Sequence, residues 1–391
     1  KMQSYTLYNP SEFLQKRHPY IPDPNARPPM DPEQVALAYN ERAVPKLADI
    51  LVNEDLPSSK RRDALHTLNE IVSNQELKAI MIDNDIVITA TALMTDEDKD
   101  VRFESALLVG SLLFLDVGRL QFDELEDNYK IMQSLIFDPE VKVRESVGWL
   151  LYRLSMHKDG TEMMWKSGTI YKIVDAFNFY CDGTQIEDNI YYEIYLLEAI
   201  INLSRNEKHI KHMLNKGLLK SLNYILLNEN DLYSNSLSKG LYQQLRELVL
   251  SACKNITLIF EGKEEAYKES LVLTGANFLN SELENERLYA SSLFMSITNI
   301  LSSKKQICQY EVKVNNVVHY EILEKICSLL EDKNDDVKQN TILTLRNLAE
   351  LPEGFLKIID ESKNEFPGLG NNHCLTCIKE YFRVPIEGNK G

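Results

Sequence analysis

Thr95-Asp96-Glu97-Asp98-Lys99-Asp100-Val101-Arg102 is a polar turn that runs directly into a helix. Phe103, Ala106, Leu107, Gly110 and Leu113 follow at helical spacing. Acidic residues ahead of a helix stabilise its exposed N–H groups, and Asp or Asn can cap them. The same opening returns as Val143-Arg144 after Asp138-Pro139, and as Val337-Lys338 after Asn334-Asp335-Asp336. Working outward, seven stretches look like copies of one helix: Ser59–Val72, Val101–Leu113, Val143–Ser155, Ile190–Ser204, Leu241–Phe260, Arg287–Leu301 and Val337–Glu350. Aligned on their C-terminal apolar pair, one shared position falls at Glu70, Ser111, Arg153, Asn202, Asn255, Asn299 and Asn347. The successive gaps are 41, 42, 49, 53, 44 and 48 residues. A period of roughly 40–47 residues with two or three helices per unit is the mark of an α-solenoid.

The chain has 391 residues, 44% of them hydrophobic, so it can bury an extended core. A single round core splits into domains at this length, whereas stacked repeats need only their neighbours. The formal charge of −16 argues against nucleic acid as a partner and suits basic or neutral proteins. No signal peptide and no membrane-spanning apolar run is evident, and Cys253 and Cys327 fall in helical apolar patterns as buried thiols. A reducing, cytoplasmic location without membrane contact is therefore expected.

Three regions are expected: an extended arm over 1–30, the solenoid over 31–361 and an irregular cap over 362–391. The arm carries Pro10, Pro19, Pro22, Pro24, Pro28 and Pro29, with Tyr5, Tyr8, Phe13 and Tyr20 between them. Proline at that density excludes helix. Helix begins near Asp31-Pro32, a cap followed by proline at the first helical position. Gly168, Gly217 and Gly275 are read as the sharp reversals between first and second helices. Cys181–Asn189, Glu229–Gly240 and Ser302–Asn316 are read as polar insertions, with Gln185, Tyr233 and Gln309 as outward contacts. Glu261-Gly262-Lys263-Glu264-Glu265 is read as a charged turn. Glu353–Glu361 would start a further unit and His373–Phe382 would form a last capping helix.

No phosphate-binding glycine loop, zinc-protease pair or nucleophile elbow occurs, and no catalytic residue, cofactor or small-molecule substrate is expected. Cys374 and Cys377 supply two thiolates where tetrahedral zinc takes four ligands, and they are read as structural thiols rather than a metal site. The candidate binding residues are the shared column. Arg153, Asn202, Asn255, Asn299 and Asn347, with Trp149 one turn before Arg153, would line a partner-binding groove. An amide both donates and accepts, so each Asn can hold an extended partner's backbone or a carbonyl of the neighbouring repeat.

The Val-Arg/Lys opening and the Asn-Leu/Ile close, as in Leu345-Arg346-Asn347-Leu348-Ala349 and Ala199-Ile200-Ile201-Asn202-Leu203-Ser204, resemble the third helix of armadillo repeats. The resemblance covers about 31–361 and implies an all-α, right-handed armadillo/HEAT-type solenoid of about seven repeats that binds proteins. Nuclear-import armadillo adaptors pair tryptophan with asparagine in several repeats. Here only Trp149 sits at that place, opposite Arg153, so an import adaptor is not expected. Pro28-Pro29-Met30-Asp31-Pro32, Val35-Ala36-Leu37-Ala38-Tyr39 and Arg42-Ala43-Val44-Pro45-Lys46-Leu47 are similar to the opening of axonemal armadillo proteins of ciliary radial spokes. That resemblance implies a non-catalytic scaffold in the axoneme cytoskeleton of the cilium or flagellum, contacting other spoke subunits and supporting motility. The alternative is a soluble armadillo adaptor or chaperone cofactor that binds partner peptides transiently.

Overall fold

The computed structural model describes residues 43–124, 126–180, 190–228, 239–309, 312–314, 317–319 and 321–361. The arm, the Asp31-Pro32 helix start, Gln185, Tyr233, Cys374, Cys377 and the capping helix lie outside the described residues.

Helices α1 (Ala43–Val52) and α2 (Ser58–Ile71) belong to the first unit. The second is α3 (Gln75–Asp83), α4 (Ile86–Leu93) and α5 (Lys99–Leu112). The third is α6 (Asp116–Asp123), α7 (Glu126–Ser134), a 3-10 turn and α8 (Val141–Ser155). The fourth is α9 (Lys158–Lys166), α10 (Thr169–Tyr180) and α11 (Ile190–Leu203). The fifth is α12 (Glu207–Asn215), α13 (Leu218–Leu227) and α14 (Lys239–Ile256). The sixth is α15 (Phe260–Lys268), α16 (Leu271–Ala276) and α17 (Glu284–Ile297). The seventh is α18 (Leu301–Gln309), α19 (Glu321–Ser328) and α20 (Asp335–Ala349), and α21 (Pro352–Glu361) begins another. The third helices α2, α5, α8, α11, α14, α17 and α20 pack each on the next, forming one unbroken face. A single continuous core of buried Leu, Ile, Val, Met and Phe runs behind it. This is an α-solenoid.

Three sequence expectations change. Ser302–Asn316 is not a loop: Ser303, Lys304, Ile307 and Cys308 are buried at helical spacing, which makes Leu301–Gln309 a first helix. Beyond it strands β1 (Val312–Val314) and β2 (Val317–His319) form an antiparallel hairpin with Val314 opposite Val317. The Glu261–Glu265 run lies in α15 rather than in a turn, because Gly262 and Ala266 supply its buried face. Gly275 is inside α16, and the left-handed reversal of that unit falls on Ser270, with φ 60°. Gly168 and Gly217 do hold left-handed reversals, with φ 74° and 75°. Asp85, with φ 56°, takes the same place in the second unit.

Two repeating devices fix the stack. The arginine that opens a third helix reaches backward and forward at once. Arg102 Nη1 donates to the Asp96 and Glu97 carbonyls of its own turn, while its Nε and Nη2 donate to the Asp138 carboxylate of the next unit, at 2.9 and 3.1 Å. Arg287 repeats this with the Ser281 and Glu282 carbonyls and the Asp332 carboxylate, and Arg61 pairs with Asp96. The second device is a glycine in the first helix. A Cβ on Gly118, Gly160, Gly262 or Gly354 would lie 2.0–2.3 Å from the carbonyl oxygen of Leu112, Leu154, Ile256 or Leu348. Only glycine lets the first helix approach the end of the preceding third helix that closely. In the fifth unit His209 stands there instead, and its Nδ1 donates to the Leu203 carbonyl.

Candidate functional site

The proposed groove residues do not act as one ladder. Counted nine residues from the opening arginine, Arg144 leads to Arg153, Arg246 to Asn255 and Lys338 to Asn347. Arg287 leads to Ser296, not Asn299. Hydrogen bonding follows this register. Asn202 Nδ2 donates to Ser155 Oγ at 3.0 Å, Asn255 Nδ2 to Ser204 Oγ at 3.1 Å and Asn347 Nδ2 to Thr298 Oγ1 at 3.2 Å. Each acceptor lies two residues past the column position of the preceding third helix. In the sixth unit Ser296 Oγ donates to the Thr257 carbonyl, again two residues past the column. The column therefore ties each repeat to the one before it, mostly through hydroxyls that themselves bond the end of their own helix.

Asn299 sits past the end of α17, exposed, with its amide on the Met295 and Ser296 carbonyls of its own chain turn. It lines a separate cleft of about 910 Å³ with Phe260, Tyr267, Lys305 and Gln309. Trp149 and Arg153 come together as a stack. The Arg153 guanidinium lies 5.5 Å from the Trp149 ring and 4.6 Å from the Phe114 ring. A Cβ on Gly110 would fall 2.6 Å from Trp149 Cζ3, so the missing side chain is what seats the indole.

On the third-helix face, a cleft of about 460 Å³ opens between α8, α11, α14 and α17. Tyr152, Glu198, Asn202, Glu247, Ser251 and Tyr289 line it. Asn202 is thus the one column residue that both braces the stack and faces this cleft. Tyr152 stacks on Tyr195 with 19° between the rings. Burial, and then the neighbouring Glu198 carboxylate that accepts its hydrogen bond, push the Tyr152 phenol above its ordinary range. Glu247 is held by neutral donors, Gln243 Nε2 at 2.8 Å and Asn285 Nδ2 at 2.9 Å. Among the described residues neither Glu198 nor Glu247 has a cationic partner. Two carboxylates oriented by neutral groups and flanked by tyrosine rings present an acceptor for a cationic side chain. Tyr152 and Glu247 went unremarked in the sequence. Their signal is position: each lies on a third-helix face already turned away from the core.

Among the described residues no group of three or more His, Cys, Asp or Glu could hold a metal ion, and no helix is long and apolar enough to cross a membrane. Cys253 and Cys327 are buried as expected, and Cys308 with them.

No family model and no curated protein matches this chain. Solved structures do. An engineered protein superposes with TM-score 0.66 at 17% identity, over 81% of this chain and 71% of that one. A designed armadillo repeat protein in complex with the peptide (KR)4 gives 0.53 at 16% identity, over 65% of this chain and 99% of that one. A chain from work on a phosphorylation switch in the interaction between cadherin and β-catenin gives 0.62 at 13% identity, over 82% of this chain and 59% of that one. At these identities the likeness establishes the armadillo-type fold.

Proposed function

We propose that this chain is a non-catalytic scaffold that holds an extended, basic segment of a partner protein along its third-helix face. The observation that carries the reading is the Tyr152–Glu198–Glu247–Tyr289 cleft, whose two carboxylates form no ion pair among the described residues, with Arg205 at the same cleft bonded to neither. A peptide of alternating Lys and Arg in complex with a designed armadillo protein is consistent with a basic segment in such a groove. The bracing asparagines keep successive third helices in register, so the face is a preorganised surface.

The setting we favour is the ciliary axoneme, with the chain as a radial spoke subunit akin to radial spoke head protein 14. This part rests on sequence resemblance: Pro28–Leu47, with the Asp-rich turn before Val101-Arg102 and the Leu351-Pro352-Glu353-Gly354 segment after Leu348-Ala349-Glu350. In that role the solenoid grips neighbouring spoke subunits and supports regulated motility. The test is mass spectrometric quantification in axonemes before and after salt extraction, for the parent chain and for Glu198→Gln/Glu247→Gln. Retention of the parent at spoke-subunit level, with loss of the double variant, supports both parts. Absence of the parent from axonemes removes the ciliary setting, and equal retention of both removes the cleft.

A further inference from the structure

Lys78 lies in α3 at a place the helix gives to the core, with Met81 and Ile82 one turn on. It is 6% exposed. Its Nζ stands 5.3 Å from the Phe114 ring, the same ring that the Arg153 guanidinium covers at 4.6 Å. Two cations from units one period apart thus share one aromatic side chain. Arg153 Nε is fully buried and has no hydrogen-bond partner among the described residues. His157, edge-on to Phe114 at 5.4 Å between centroids, also buries an unpartnered Nε2. Asp159, two residues beyond His157, is bonded to Arg119 at 2.5 Å. No carboxylate among the described residues pairs with Lys78 or Arg153.

Buried cations are ordinarily paired. Here burial holds the Lys78 ammonium below the ordinary lysine range, and the Arg153 charge pushes in the same direction. The aromatic ring that both contact offsets only part of that cost. The other ion pairs of the stack show what the chain does when it neutralises a cation itself: Arg61, Arg102, Arg246 and Arg287 each meet an acid of the next unit. Among the described residues Lys78 and Arg153 do not.

We infer that Lys78 and Arg153, held over Phe114 and beside Trp149, form a seat for an anionic group, carboxylate or phosphate, on a bound protein segment. The seat is distinct from the Glu198–Glu247 cleft and opposite in sign. A guanidinium and an ammonium that share one aromatic ring can each give a carboxylate or phosphate a charge-assisted hydrogen bond. Such a segment would carry its anion towards the second and third units and its basic residues towards the fourth to sixth. The seat does not depend on the cleft being occupied.

Trp149 gives the assay its reporter, since the chain has only two tryptophans and Trp165→Phe leaves Trp149 alone. In that background we would titrate hexaglutamate, a Gly/Ser hexapeptide with one phosphoserine, and its unphosphorylated counterpart. Dye-labelled versions read by anisotropy serve as a second readout. The expected result is saturable binding of at least one anionic peptide and none of the neutral one. Lys78→Met and Arg153→Gln should each weaken it by at least about tenfold, as expected for loss of a charge-assisted contact. Glu198→Gln should leave it unchanged. Saturation by hexaglutamate alone assigns a carboxylate seat and by the phosphopeptide alone a phosphate seat. Lys78→Met keeps the stem and removes a buried charge, so its folding, checked by circular dichroism, should survive. Failure of both anionic peptides to bind, or binding that ignores both substitutions, overturns the inference.

Discussion

Arg102 and Asp138, one repeat apart, meet in a two-point ion pair: Nε to Oδ2 at 2.9 Å and Nη2 to Oδ1 at 3.1 Å. The side chains are 13% and 5% exposed. Asp138 simultaneously lends its carbonyl to Arg144, the opening arginine of its own unit. One residue therefore couples two units, and stability in a stacked array depends on such nearest-neighbour terms. Removing one partner of a buried pair leaves an uncompensated charge. Asp138→Asn should therefore destabilise by about 3 kcal/mol, and Arg102→Met/Asp138→Leu should recover most of it. Urea unfolding of the single and double variants checks this; a double variant no better than Asp138→Asn would contradict it.

The column register gives a sharper test. Asn255 bonds across the repeat boundary, whereas Asn299 bonds only its own chain turn and is exposed. Asn255→Ala should cost about 1 kcal/mol, as for a typical hydrogen bond. Asn299→Ala should stay within about 0.5 kcal/mol of the parent, as for surface positions. Equal effects on the denaturation midpoint would mean that the two share one role.

Ser270 and Asp85 hold left-handed backbone that Gly168 and Gly217 hold elsewhere. An L-residue there is strained by roughly 1–2 kcal/mol. Ser270→Gly should raise stability by up to about 1 kcal/mol after the entropy that glycine adds to the unfolded chain. A thermal melt shows the sign directly, and a lower midpoint would refute the strain.

Acid should weaken the array in two windows. Burial lowers the proton affinity of His157, with Arg119 adding to it, and burial likewise lowers that of His209. Both folded values lie below the ordinary imidazole 6.5, so unfolding takes up protons between the two. Their contribution is present above 6.5 and is lost as the pH falls through the folded values. Asp159 and Asp332 follow at lower pH. Each is held below the ordinary 3.8 by its arginine against the opposing cost of burial, and its contribution disappears as the pH drops through that depressed value. His209→Asn should shrink the upper window to the share of His157 and leave the lower one. Chemical denaturation across pH separates them.

The period, the third helices and the turn acids were legible because each has a local cause: cap chemistry, apolar spacing and the opening arginine. The column was misplaced by one turn in the sixth unit. Asn299-Ile300 imitates the Asn-Leu close, yet α17 already ends at Ile297. Anchoring on Arg287 would have found Ser296, since the opening arginine is fixed by carbonyls behind and an acid ahead. The first helix of the seventh unit was hidden by polar residues, because Lys304 is buried by pairing with Glu350 across the repeat. Lys78 was hidden for the converse reason. A lysine inside an apolar pattern shows in sequence only as an exception, and its neighbour Arg153 comes from a helix far along the chain. The Glu198–Glu247 cleft is assembled from four helices, and no local pattern announces it.

The central claim is that the third-helix face holds a basic segment through Glu198 and Glu247. Fluorescence anisotropy of labelled (KR)4 against the parent chain and Glu198→Gln/Glu247→Gln tests it most directly. Binding to the parent that weakens at least about tenfold in the double variant, with helicity unchanged, is the expected result. No binding to the parent, or binding indifferent to both substitutions, would contradict it.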